Sequence, residues 1–150
     1  MRVVIQRVLQ ASVSIQQKVH SQISNGLLLL VGFEQQDTVE DINWLSNKIS
    51  KLRIFNDEKG QMNQSVIDIE GQILVVSQFT LHAKTKKGNR PSFILAAKPE
   101  KAKVFYQQFI HQLSKDTGLN IKTGEFGADM QISLCNSGPV TILIDSKNRE

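Results

Sequence analysis

Two short apolar runs constrain this chain most: Gly26-Leu-Leu-Leu-Leu-Val-Gly-Phe33 and Gly71-Gln-Ile-Leu-Val-Val-Ser-Gln-Phe79. An unbroken apolar run of this length, bounded by turn signals, fits a buried strand. The longest, Leu27 to Val31, falls far short of the roughly 20 residues that a membrane-spanning helix needs. Buried strands need covering layers, and two stretches at helical spacing can supply them. Val39, Ile42, Leu45, Ile49 and Leu52 share one helical face, behind an expected N-cap with a carboxylate at Asp37-Thr-Val-Glu40. Ala102, Phe105, Tyr106, Phe109 and Leu113 mark a second helix. Pro99 suits its first turn and Gly118 its end.

The remaining segments read as strands and turns. Val3 and Ile5, then Val13 and Ile15, alternate with polar residues and predict a two-strand start. Asn25-Gly26 is a turn signal. Leu52 to Phe55 predicts a short strand closed by a turn over Asn56 to Gly60. Leu119 to Thr123, Met130 to Cys135 and Val140 to Asp145 predict three closing strands. The likeness of the two apolar runs, each followed by a helix, suggests without establishing a duplicated strand-helix-strand unit. The whole predicts a mixed α/β, α+β-like layered fold, a strand-rich body covered by two main helices.

With 150 residues and no Pro/Ser-rich linker, the chain reads as one domain spanning residues 1–150. Its 40% hydrophobic and 21% charged residues match a globular chain rather than a disordered one. A domain of this size buries roughly 70% of its unfolded surface, enough for a core without metals or disulfides. The first residues alternate and carry Arg7, unlike a signal peptide. The single cysteine, Cys135, offers no internal disulfide and no metal-ligand spacing. The expectation is a soluble, cytoplasmic protein without membrane attachment.

Charge and polar residues narrow the chemistry. Eighteen Lys+Arg against fourteen Asp+Glu give a net charge of +4. Lys84, Lys86, Lys87 and Arg90 sit in one segment with no negative charge, so this loop alone equals the excess. It is either a docking surface for a polyanion such as nucleic acid or a solubilising loop. His20, His82 and His111 lie in different elements. A Ser-His-Asp triad would require His82 to turn back on Ser77 or Thr80, with Asp129 or Asp145 behind it; an exposed loop histidine is the simpler expectation. No P-loop, dinucleotide fingerprint, GxSxG or HExxH occurs. Two stretches stand out instead. In Ser77-Gln78-Phe79-Thr80-Leu81 a buried strand runs into polar side chains, either to satisfy the following turn or to serve a site. In Asn136-Ser137-Gly138-Pro139-Val140-Thr141, Gly before Pro fits an ordinary turn, a cis bond or close approach of backbone to a ligand.

These stretches carry a resemblance to the D-aminoacyl-tRNA deacylases over nearly the whole chain. Met1-Arg-Val-Val-Ile-Gln-Arg-Val8, Gly26 to Gly32, Lys51-Leu-Arg-Ile-Phe55 and Met62-Asn63 are similar to that family. So are its two signature blocks, Ser77 to Leu81 and Asn136 to Thr141, and between them Gly88 to Phe93, Ala96-Ala97 and Thr123 to Met130. Departures are Gln61, where a Lys is common, and Ser137, where an acidic residue is common.

The resemblance implies a layered β/β/α fold, a homodimer with active pockets at the subunit interface, and no cofactor or metal. The implied reaction is hydrolysis of the ester between a D-amino acid and the terminal ribose of tRNA; a filter that works by excluding a side chain would also let mischarged glycyl-tRNA through. Ser77, Gln78, Phe79 and Thr80 would form the catalytic pocket. Gly138 and Pro139, joined by a cis bond and reaching into the partner's pocket, would be a filter that refuses L-amino acids. Ala97 and Met130 would help to bind the substrate, and Lys84, Lys86, Lys87 and Arg90 would meet the tRNA.

An aminoacyl ester is already activated, so positioning and an oxyanion hole suffice for a chain without an evident base. Water attack with backbone N–H donors near Phe79 and Thr80 is the favoured mechanism, and Thr80 as nucleophile is the rival. Two other classes compete: a non-catalytic basic RNA-binding dimer, and a purely structural dimerisation domain. The first wants exposed aromatics, yet Phe, Trp and Tyr make up only 6% of the chain.

Overall fold

The computed structural model describes residues 1–150. Its strands are β1 (Arg2–Ile15), β2 (Lys18–Ile23), β3 (Gly26–Gly32), β4 (Phe55–Asn56), β5 (Met62–Gln64), β6 (Gln72–Ser77), β7 (Lys122–Thr123) and β8 (Gln131–Asp145). Two helices, α1 (Val39–Ser50) and α2 (Pro99–Thr117), complete it. The architecture is the expected mixed α/β one, with a strand-rich body and two main helices.

The two apolar runs become β3 and β6, paired in parallel from Gly26 opposite Gln72 to Val31 opposite Ser77. Parallel pairs are normally covered on both faces, which is why these runs are not amphipathic. Side chains alternate across the sheet. Leu27, Leu29, Ile73 and Val75 join Ile42, Leu45 and Ile49 of α1 and Tyr106, Phe109 and Leu113 of α2 in the main core. Leu28, Leu74 and Val76 face the other way and form a second core with Val8, Ala11 and Val13 of β1. The helices are held together by the Ser46 hydroxyl, which donates to Asp116 at 2.6 Å.

The expected two-strand start is one 14-residue strand. β1 pairs antiparallel with β3 through Arg2 to Val8 and with β2 through Ala11 to Ile15. Its pairing with β8 shifts register around Val8. That irregularity hands the strand from the main core to the second core, which is why the alternation looked broken. β7 adds to β6 in parallel. The Ser21 hydroxyl of β2 donates to Thr123 O of β7 at 2.7 Å, so the sheet curls nearly into a barrel.

Other boundaries differ from expectation. The N-cap of α1 is Thr38, whose N–H donates to the Asp41 carboxylate at 2.8 Å. Asp37 instead accepts from the Met1 ammonium and from Glu34 N–H, each at 2.6 Å. Leu52 to Phe55 supplies strand only at Phe55–Asn56, and Leu119 to Thr123 only at Lys122–Thr123. Both are short edge pairings in which few backbone groups find a partner strand. The second helix begins at Pro99, and Gly118 closes it with the left-handed φ of 71° that its position requires.

Candidate active site

β3 and β6 end side by side, and a cavity of about 690 Å³ opens beyond their carboxyl ends. This is where ligands bind in open α/β sheets. Ser77, Gln78, Phe79, Ala97 and Met130 line it, bringing together residues from β6, the segment before α2 and the segment before β8. Ser77, Gln78 and Phe79 therefore share a cavity with Met130 although more than fifty positions separate them from it along the chain.

The apolar run does not continue as strand to Phe79. Gln78 N–H donates to Val31 O at 2.7 Å, prolonging the sheet by one residue, and the chain then tightens into a 3₁₀ turn, Phe79–His82. The first N–H groups of a helical turn have no partner within it. Those of Phe79 and Thr80 find none elsewhere in the chain. The turn is braced from below by Arg2, which donates to Leu81 O at 2.9 Å and pairs with Asp145 at 2.8 Å. Burial works to raise the Asp145 carboxyl, but its bonds from Arg2 and Lys147 N–H outweigh this and hold it below the usual range.

Thr80 is exposed, just outside the cavity lining. Its hydroxyl accepts from Gln78 Nε2 at 2.6 Å. That bond occupies a lone pair of the oxygen, and no carboxylate or imidazole stands ready to take its proton. The triad geometry is absent: Asp145 belongs to Arg2, Asp129 is exposed, and neither ring nitrogen of His82 bonds to a hydroxyl. The exposed histidine expected here is fully buried, with Nδ1 3.1 Å from Glu34 Oε1. The 3₁₀ turn rolls its fourth side chain under the sheet, which an extended loop would not do.

Gly138-Pro139 does not lie in a turn between two strands. It lies inside one continuous strand, β8, where Gln6 pairs with Thr141 and Val8 with Asn136. The intervening residues bulge outward opposite Arg7, both Gly138 and Pro139 are exposed, and the bond between them is cis. Neither residue lines the cavity of its own chain. The bulge is held in shape from both ends. Asn136 Oδ1 accepts from Val140 N–H at 2.9 Å, and Arg7 Nε donates to Ser137 O at 3.0 Å.

Arg7 was not among the residues singled out by sequence. Its guanidinium is buried and also donates to Ile54 O at 2.7 Å, tying the bulge to the residue that leads into β4. The signal was there: Arg7 shares the inward face of β1 with Val3 and Ile5, an odd place for a charge.

The basic segment is an exposed hairpin-like loop, closed by paired N–H···O bonds between Lys84 and Ser92 at 2.8 and 3.0 Å. Phe93 just beyond it packs edge-on against Phe79, 5.1 Å between ring centres, so the loop is anchored to the Phe79–His82 turn. Lys84, Lys86, Lys87 and Arg90 are all exposed. No three His, Cys, Asp or Glu side chains converge as metal ligands would.

The chain's residues 4–145 match the family model described as D-Tyr-tRNA(Tyr) deacylase. A D-aminoacyl-tRNA deacylase of Flavobacterium psychrophilum is 62% identical over 150 residues, covering 100% of both chains. One from Bacteroides fragilis is 60% identical over the same span. Among solved structures, one titled c-Myc DNA Unwinding Element Binding Protein superposes with a TM-score of 0.91 at 43% identity, covering 97% of this chain and 98% of that one. A probable eukaryotic D-amino acid tRNA deacylase shares the fold, with a TM-score of 0.83 at 18% identity. The fold and the full-length likeness make this chain a member of the D-Tyr-tRNA(Tyr) deacylase family.

Proposed function

We propose that this chain hydrolyses the ester linking a D-amino acid to the 3′ end of tRNA, releasing both. The observation that carries the reading is a pair of free backbone N–H groups, Phe79 and Thr80, at the edge of a largely apolar cavity. As water attacks the ester carbonyl, negative charge builds on its oxygen. Preorganised amides at that point stabilise the charge, and one such donor is worth about 10²–10³ in kcat. The ester needs little further activation, which suits a site with no adjacent base. The occupied lone pair of Thr80 Oγ1 argues against a covalent threonine and for water, with the ribose 2′-OH placed to assist.

In this reading two copies pair, and the Gly138-Pro139 bulge of each enters the other's cavity. Exposed Phe79, Ile94, Leu134 and Leu143 supply apolar surface for such pairing. The bulge has no large side chain at its tip and is fixed at both ends, so it can stand where an L side chain would point. D- and L-esters carry the same groups, so selection has to come from such exclusion. Glycyl-tRNA, with no side chain to exclude, passes the filter. The loop from Lys84 to Arg90 meets tRNA phosphates, and the site of action is the cytoplasm. The role needs no cofactor.

A non-catalytic nucleic-acid-binding dimer is the rival reading, favoured by the 43% identity to a c-Myc DNA Unwinding Element Binding Protein. Incubation with D-aminoacyl-, L-aminoacyl- and glycyl-tRNA, followed by release of free amino acid, separates the two. Release from the D and glycyl esters but not the L ester is expected. Binding without release from any of them refutes the hydrolase.

A further inference from the structure

Beneath the Phe79–His82 turn lies a buried polar group for which the proposed reaction has no use. His82 is fully buried, and Nε2 has no hydrogen-bond partner. Nδ1 sits 3.1 Å from Glu34 Oε1, at ion-pair distance but off the line of a hydrogen bond. An unpaired buried polar group costs about 1–3 kcal/mol, and an apolar side chain would fill the same space without it. Such a cost points to a function.

The ring's surroundings show what it touches. A β-carbon built on Gly32 would stand 2.8 Å from Gln78 O, 3.0 Å from His82 Cδ2 and 3.2 Å from His82 Nε2. The edge of the imidazole and the Gln78 carbonyl therefore converge over Gly32. That carbonyl is one half of a planar peptide whose other half is the Phe79 N–H. Anything that fixes the Gln78 oxygen fixes the direction of the Phe79 amide. Glu34, in turn, is fixed to the opposite wall of the cavity: it bridges Ala96, and Ala97 N–H donates to Phe33 O at 2.8 Å.

We infer that His82 and Glu34 form a positioning pair, which clamps the Gln78–Phe79 peptide against Gly32 and so aims the Phe79 N–H at the reacting carbonyl. The pair touches no substrate and acts through the turn. The inference rests on the proposed deacylase reaction, and one of its tests is independent of activity.

The variants are His82→Leu, His82→Gln, Glu34→Ala and the double variant His82→Leu/Glu34→Ala. A misplacement of about 1 Å costs about 10²-fold in rate, so His82→Leu should lower kcat by roughly 10- to 100-fold. KM should stay where it is, and the thermal midpoint should not fall, since the leucine removes an unpaired buried polar group. His82→Gln, which keeps a donor toward Glu34, should recover most of kcat. The double variant should be no slower than His82→Leu, because both substitutions release the same peptide. In the free protein, the Phe79 amide resonance should move in His82→Leu and return in His82→Gln. Wild-type kcat in His82→Leu, a loss confined to KM, additive losses in the double variant, or an unmoved Phe79 amide would each overturn the inference. A wild-type protein that releases no amino acid would refute the deacylase reading instead, and the amide resonance would still judge the clamp.

Discussion

Gly32→Ala tests the link between the sheet and the Phe79–His82 turn most directly. The new methyl would lie 2.8 Å from Gln78 O and 3.0 Å from His82 Cδ2, whereas ordinary van der Waals contact begins near 3.4 Å. The obstruction on one side is backbone, which cannot rotate out of the way like a side-chain end. The Gln78 peptide has to retreat by about half an ångström, and the Phe79 N–H goes with it. If about 1 Å of misplacement costs about 10²-fold, half of that should lower kcat on the order of 10-fold. Overpacking should also cost about 1–3 kcal/mol of stability. The assay is deacylation of D-aminoacyl-tRNA for kcat and KM, with urea unfolding for stability. Gly124→Ala is the matched control. Its methyl would meet Met130 Sδ at 2.6 Å, but that is the end of a flexible chain that can swing aside. Gly124→Ala should therefore cost less in kcat. A folded Gly32→Ala protein with wild-type kcat would refute the claim that the Phe79 amide depends on this contact.

Thr80→Ala should keep kcat within about 10-fold of wild type; a loss above roughly 10⁴-fold with the fold intact would identify Thr80 as a nucleophile. Replacing Lys84, Lys86, Lys87 and Arg90 by Ala should weaken tRNA binding and lower its salt slope by about 0.7–0.9 per lost phosphate contact; an unchanged slope would make the loop a solubilising surface. Burial works to raise the Asp41 carboxyl, but bonds from Lys147 and Thr38 outweigh it and hold it well below the usual range. A depressed carboxyl stabilises the fold above its unfolded value and loses that contribution as pH falls through its folded value. Asp41→Asn should thus be less stable than wild type by about 1.5–3 kcal/mol at pH 7. The gap should close as pH drops below about 4, and a pH-independent gap in urea midpoints would contradict the linkage.

Local patterns were legible where one contact type decides them. The apolar runs at Leu27 and Ile73 could only be buried strands, and Pro99 and Gly118 bounded α2 because proline and glycine act through their own backbone torsions. The polar residues from Ser77 to Thr80 were marked as a site because they interrupt a buried run. What the sequence could not give was long-range pairing. Whether β1 is one strand or two depends on β8 lying along its whole length, more than a hundred residues away. The cis bond at Gly138-Pro139 matches expectation, but its expected place between two strands gives way to a bulge within one strand once that pairing forms. His82 reads as a loop residue until the 3₁₀ turn places its ring under Gln78, beside Glu34. Arg7 falls on the inward face of β1, and only the fold shows that Ile54 and Ser137 offer it their carbonyls there. Sequence alone thus determined the family, the two helices and the buried strands, since these follow from side-chain chemistry and local backbone preference. Only the tertiary structure decided which amides are left free and which side chains pack beneath them, because both depend on groups that meet through the sheet and not along the chain.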